Sequence, residues 1–441
     1  MWIMVSWILV VGLVLALLAK AYSRVVAFRR YAARAIKEVR FCIGIKDWGV
    51  AEQKLLPLLK KRRFRKQYLI DYVRILRETG RFREVDLYLD QIQRFDSKDF
   101  RYYLELGYRD YRRGSYKTAA QFFSKIRQEN LEEQDVAKYA SALVQLGELD
   151  LACSLIEPLV SPLSPQETFI ALGHIYFASK RYADAAEFYS RASSLGYCSS
   201  DIIYKFAQAS RLIADYEKAK LLFRSLLKES FYRDEALFNI GLCEQKMGRQ
   251  HQALLIYQSS PLWKRGDALL MRHAASAAMA VKDYSLSESC WKLALKCPTY
   301  SGNPDCCFDY GLSLCRQGKY GEAEKIFLKA VALFPEHLGA LKALAWLSGI
   351  GLAALTSPEE GLSYARKAVG VVRNTETLEL LSACEARSGY FDVAYEIQTF
   401  LSSSDSSQES KRRRSLILRN LRRKLPLNNQ LISEFSELLA A

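Results

Sequence analysis

Residues 318–335 read GKYGEAEKIFLKAVALFP. After Gly318 come Tyr320, Ala323, Phe327 and Ala330, and Pro335 closes the run. Steps of three and four residues line one face of a helix, whereas a strand would alternate every second residue. The spacing therefore predicts a helix with small and large residues in fixed places, and such a pattern invites a search for copies.

Copies are present throughout. Gly311–Gly318–Tyr320–Ala323–Phe327–Ala330–Pro335 sets the template, and Gly107–Gly114–Tyr116–Ala119–Phe123 keeps its spacing. Gly173–Tyr182–Ala185–Tyr189–Ala192 and Gly241–Gly248–Ala253–Tyr257 follow it. Ala207–Tyr216–Ala219–Phe223 and Ala275–Tyr284–Trp291–Ala294 are looser copies. The loosest centre on Trp48–Ala51–Leu55 and, after a short insertion, on Gly361–Ala365–Ala368. Aligned on these marks, units begin near residues 32, 66, 100, 133, 166, 200, 234, 268, 304, 338 and 375. With 441 residues, half of them apolar, 12% aromatic and 10 Pro, the chain is neither collagen-like nor disordered and can bury a large core.

This pattern resembles the tetratricopeptide repeat, a helix–turn–helix unit. The resemblance runs over about residues 32–405. It implies an all-α, right-handed superhelical solenoid of about eleven helix pairs with a concave inner surface, since no pair can bury its apolar face alone. Small residues such as Gly311, Ala323 and Ala330 would let paired helices approach, and Tyr320 and Phe327 would fill the space between pairs. The organisation expected is a membrane anchor at 1–22, a basic segment with the first weak repeat at 23–66, the solenoid at 67–401, a Ser-rich linker at 402–410, and a basic amphipathic tail with a capping helix at 411–441.

The anchor is read from MWIMVSWILVVGLVLALLA, residues 1–19, which hold no charged side chain. A helix of that length spans about 28 Å, close to a bilayer's hydrocarbon core. Trp2, Trp7 and Tyr22 stand where interfacial aromatics would. The alternative is a cleaved signal peptide, with Ala19-Lys20-Ala21 as its small-x-small site. Against it stand the missing basic residues ahead of the run and the run's length. From Lys20 to Lys66 there are fifteen Lys/Arg against three acids. Cytoplasmic flanks carry such excess, so the N-terminus is expected outside and the repeats in the cytoplasm. An extracytoplasmic repeat protein of envelope assembly is the rival placement.

Lys411 to Lys424 adds eight Lys/Arg and no acid. The two basic segments together carry +20 against +16 for the whole chain, so the remainder is net −4. A basic pI therefore does not predict nucleic-acid binding by the repeats. Lys60, Lys61, Arg62, Arg63, Arg412, Arg413 and Arg414 are instead candidates to face anionic lipid, with orientation signal and solvated helix surface as the plainer reading. The run KKRRFRK, 60–66, also has nuclear-import character, which an anchor overrides.

Catalysis finds little support. The four His, at 174, 251, 273 and 337, share no motif, and nucleotide, zincin and hydrolase signatures are missing. Ten Cys sit mostly in predicted helices as small hydrophobes. Cys297, Cys306, Cys307 and Cys315 lack zinc-site spacing. No enzyme activity, cofactor, metal or small-molecule substrate is expected, and protein or peptide partners are.

Inward positions of the first helix, carried over from the tetratricopeptide pattern, fall on Tyr108, Tyr111, His174, Phe177, Tyr204, Arg211 and Phe238. Aromatics with Arg suit a partner interface, although part of the stripe is also expected to pack under the next repeat. Chaperone-tail receptors of the family use Lys and Asn there; Tyr204/Gln208 and Leu269/His273 do not match. Bacterial lipopolysaccharide-assembly regulators also join an N-terminal anchor to repeats, but end in two C-x₂-C pairs, and residues 411–441 contain no Cys. In that tail Ile417, Leu421 and Leu425 share one helical face, and Leu431, Phe435 and Leu438 another. The expected function is a membrane-anchored scaffold.

Overall fold

Short polar side chains set where helices start. Asp47, Asp215, Asp283 and Asn303 each accept a hydrogen bond from the backbone N–H three residues on, satisfying a donor the helix leaves free. Ser357 and Glu360 form a reciprocal capping box. A computed structural model describes residues 2–60, 62–93, 99–196, 198–404 and 408–427. Side chains are described for 17–60, 68–93, 99–196, 198–403 and 411–427. Twenty-five α-helices and no strand occur among the described residues. Most form eleven consecutive pairs, from Trp2–Gly44 with Trp48–Leu59 to Thr375–Arg387 with Phe391–Ser404.

The chain divides into two compact units, residues 1–202 and 203–441. In unit 1, Val39, Leu55, Leu58, Val73, Leu76 and Leu89 join the first pairs in one core. In unit 2, a core extends from Ala253 through Tyr257, Trp291, Phe327 and Leu344 to Ile417 and Leu427.

Within pairs, one contact recurs. A Cβ on Gly107 would lie 2.7 Å from the Phe123 ring, and one on Gly173 would lie 2.5 Å from Tyr189. In unit 2, Gly241 and Gly311 stand in the same relation to Tyr257 and Phe327, at 2.3 Å each. All four rings are fully buried. Burying such a side chain contributes about 1.5–3 kcal/mol, so the glycines are small because a large contribution sits on top of them.

A second recurrence lies in the turn between paired helices. Lys46, Gly80, Gly114, Gly147, Lys180, Ala214, Gly248, Lys282, Gly318 and Gly389 all have left-handed φ, between 60° and 89°. Four of these ten are not glycine. The turn geometry is repeated even where the residue that favours it is missing.

Two short helices, Pro261–Arg265 and Pro298–Ser301, lie between pairs. The insertion before Gly361 is a loop over 350–357, held by Glu324. Its carboxylate is fully buried and accepts the backbone N–H groups of Ala354, Leu355 and Thr356 at 2.8, 3.0 and 2.8 Å. The Thr356 hydroxyl donates to it as well.

At the N-terminus one helix runs unbroken from Trp2 to Gly44. Its C-terminal part packs through Ala32, Ala35, Val39 and Cys42, while Leu17, Leu18 and Tyr22 are exposed. Among the described residues no helix is long and apolar enough to cross a membrane. The expected span falls largely on residues 1–16, outside the described side chains, and so do Lys61, Arg62 and Arg63. At the other end, the helix Phe391–Ser404 continues into the Ser-rich stretch. The helix Gln408–Arg422 then packs on unit 2. The expected capping helix with Leu431, Phe435 and Leu438 lies outside the described residues.

Candidate protein-binding faces

In unit 1 the first helices Phe100–Arg112, Glu133–Leu146 and Gln166–Ala178 carry four of the seven expected groove residues. All four are half-buried. The Tyr108 hydroxyl donates to Asp135 at 2.6 Å, and the Arg77 guanidinium lies 3.9 Å over its ring. Arg77 itself makes a two-pronged bond to the buried Glu105, at 2.9 and 3.3 Å. Burial and then the Asp135 charge push the Tyr108 phenol well above its ordinary range. Hydrogen bonds to charged groups contribute about 1.5–3 kcal/mol, so Tyr108 is held by its own unit.

Tyr111 meets Tyr116 edge-on at 5.4 Å, and Phe177 meets Tyr182 at 5.5 Å, the same contact across two equivalent turns. The Lys138 ammonium lies 5.2 Å over Tyr111. Burial holds that ammonium below its usual pKa, opposed by Glu167. His174 packs edge-on against Tyr189 at 5.7 Å. The part of the stripe expected to point at a partner is here largely internal packing.

Sequence reasoning missed a concavity of unit 1. A cleft of about 850 Å³ is lined by Arg40, Lys46, Asp71, Arg74, Arg101 and Glu132, among others. Arg101–Asp71 at 2.8 Å and Arg74–Glu132 at 3.1 Å cross it. The positional rule that chose Tyr108 also selects Arg74, one unit earlier; Lys46 and Asp71 carry no such mark, because the cleft forms where the first pair meets the later first helices.

Unit 2 differs. Tyr204 packs between Phe223 and Tyr232, at 5.8 and 5.5 Å, and burial together with Glu235 pushes its phenol up to about 12. Phe238 lies against Tyr257 at 6.1 Å and His273 at 5.5 Å. Burial, then the charges of Arg272, Lys246 and Arg211, hold His273 down at about 4, so the imidazole is neutral at neutral pH. Lys246 and Arg272 are exposed, and Arg211 is half-buried with its Nε lacking a hydrogen-bond partner. None of the three forms an ion pair among the described residues. Three cations without an ion pair thus meet around a neutral ring beside Phe238, and the charge of Arg272 also reaches the Asp309 carboxyl. Lys246 and Arg272 escaped the sequence reading, and His273 entered it only as one of four His and as a mismatch to the chaperone-tail clamp, though the positional rule that chose Tyr204 also selects Arg272 and, one unit later, Phe308.

At the C-terminus the structure corrects the expected lipid face. Arg414 is 2% exposed, bonded to Glu379 at 2.8 Å and to Gln398 at 3.1 Å. Arg413 also pairs with Glu379, at 3.1 Å. Both guanidiniums turn to the half-buried Glu379 carboxylate, because a cation as buried as Arg414 requires a partner. Arg412 is exposed, as is Lys60. Leu425 was expected to share a face with Ile417 and Leu421. It is 48% exposed because Lys424 turns left-handed, and Leu427 fills the core instead.

All ten thiols are free; burial pushes Cys290, Cys315 and Cys384 up to about 12.

Tetratricopeptide-repeat family models match residues 166–195, 235–259 and 304–337. No curated protein matches the sequence. Among solved structures, the C-terminal part of a repeat-containing protein from Cytophaga hutchinsonii is 12% identical. That match covers 56% of this chain and 99% of that one, with a TM-score of 0.48. Yeast Tom70 is 11% identical over 92% of this chain and 99% of its own, with a TM-score of 0.33. YrrB, described as a repeat protein with an unusual peptide-binding site, is 18% identical over 51% and 98%, at 0.30. Residues 166–195, 235–259 and 304–337 are thus matched as tetratricopeptide repeats, and they lie within the run of consecutive helix pairs.

Proposed function

We propose that this chain is a membrane-held scaffold that binds protein or peptide partners on the first-helix face of unit 2. The observation that carries the reading is the set of unpaired cations, Arg211, Lys246 and Arg272, around neutral His273 and Phe238. Unpaired cations beside an aromatic suit a partner that offers acidic and apolar side chains together. The self-bonded face of unit 1 suits it less.

The test is selection of a random peptide library against the full chain in detergent micelles. Selected peptides are expected to carry acids and to bind at least roughly tenfold more weakly to Arg211→Gln/Lys246→Gln/Arg272→Gln. Unchanged binding to that variant, with loss on Tyr111→Ala, would move the site to unit 1.

Residues 1–22 are proposed as the anchor. The uncharged run and its continuity with the first pair support this, and retention through alkaline carbonate washing tests it. The N-terminus is proposed outside and the repeats in the cytoplasm. The basic flank and the free thiols support that placement. Cysteine labelling on intact cells tests it: modification of exposed repeat positions by an impermeant reagent would reverse the orientation.

A further inference from the structure

The helix Gln408–Arg422 has two faces with different roles. Arg414, Ile417 and Leu421 are buried on one side, at 2% exposure each. On the opposite side Arg412, Leu416, Arg419 and Arg423 follow at steps of four, three and four residues, which makes one stripe along the helix. Lys424 ends the helix with a left-handed φ of 55° and presents a further cation, with Leu425 beside it.

Two properties separate this stripe from an ordinary solvated surface. The first is that its cations have no counter-charge among the described residues. Arg412, Arg419, Arg423 and Lys424 form no ion pair among the described residues, and Lys411 to Leu427 contains no acid. Nearby Glu379 is already taken by Arg413 and Arg414. Tyr395 takes only Arg422, whose guanidinium donates to the Tyr395 hydroxyl at 2.6 Å. The second is that Leu416 and Leu425 stand out among the cations at 49% and 48% exposure.

We infer that this outward face docks on an anionic lipid surface, its cations meeting headgroups while Leu416 and Leu425 enter the interfacial layer. The stripe lies on the outside of a helix, with none of the enclosed shape that selects a peptide. It carries no aromatic on which a nucleic-acid base would stack. Exposed leucines between cations favour an interface that has acyl chains beneath its charges. The inference goes beyond the partner-binding reading and does not require the N-terminal anchor.

The full chain is mixed with phosphatidylcholine vesicles, with or without about one third phosphatidylserine, and trypsin cleavage after Lys424 is followed. Cleavage should slow roughly tenfold on the anionic vesicles and recover in about 0.5 M salt. Arg412→Gln/Arg419→Gln and Leu416→Ser should each lose most of that protection; both leave Arg413 and Arg414 in place, so the helix stays packed. Equal cleavage on both vesicle types overturns the inference, as does protection by a polynucleotide but not by phosphatidylserine. Flotation with neutral vesicles reports the anchor separately, and peptide binding reports the unit 2 face.

Discussion

Gly311 lies so close beneath Phe327 that a Cβ at residue 311 would stand 2.3 Å from the ring's Cε1. The ring is fully buried and has no room to retreat. Gly311→Ala, like Gly241→Ala, should cost about 1–3 kcal/mol by overpacking and lower the thermal midpoint. Gly370, with nothing within 4 Å of its notional Cβ, is the control. Gly370→Ala should leave stability unchanged or raise it by about 0.5–1 kcal/mol.

Ala214 and Lys180 hold left-handed turns at φ 64° and 61° where equivalent positions use Gly. A left-handed L-residue costs about 1–2 kcal/mol, part of which glycine's greater unfolded freedom offsets. Ala214→Gly and Lys180→Gly should therefore each stabilise their unit, by about 0.5–1 kcal/mol in denaturant titrations. Gly248→Ala should do the reverse.

Burial pushes the Glu324 carboxyl up, but the Thr356 hydroxyl and three backbone N–H groups outweigh it and leave its pKa below the ordinary 4.5. A depressed carboxylate stabilises the fold fully above its unfolded pKa and loses that contribution as pH falls through the folded value. Glu324→Gln turns an NH₂ donor toward N–H donors and should cost about 1–3 kcal/mol at neutral pH. The gap between variant and wild-type midpoints should narrow below about pH 4. A gap that is constant with pH would mean the charge is not what holds the loop.

Arg414→Met removes a buried cation while Arg413 still pairs with Glu379. The expected cost is about 1–3 kcal/mol, less than the roughly 3–5 kcal/mol of leaving a buried charge with no partner, because Glu379 keeps Arg413. Limited proteolysis should show it as faster release of residues 408–427, with the helix pairs ahead of them unchanged.

The helix pairs were legible because the Gly–aromatic contact leaves both partners in the sequence, as with Gly173 and Tyr189. The turns at Lys46, Lys180, Ala214 and Lys282 were not, since a left-handed Lys or Ala looks like any other. The direction of Arg413 and Arg414 was hidden for a related reason. Four consecutive basic residues, Lys411 to Arg414, look equivalent until Glu379 and Gln398, from other helices, select two of them. Residue type likewise could not tell Tyr108, tied to Asp135, from Phe238, which stands beside unpaired cations. That difference depends on what the neighbouring first helix supplies.

The helix Trp2–Gly44 has 43 residues and no break, a rod of about 65 Å. Nothing in it behaves as a swivel. Whatever grips residues 1–22 therefore also fixes the compass bearing of the first helix pair, as a key's bow fixes its bit. One residue inserted after Ser23 would turn the two ends by about 100° relative to each other, and four would nearly restore their phase. A chain whose work depends on that bearing would fail with the first insertion and largely recover with the second, although the second makes the rod longer.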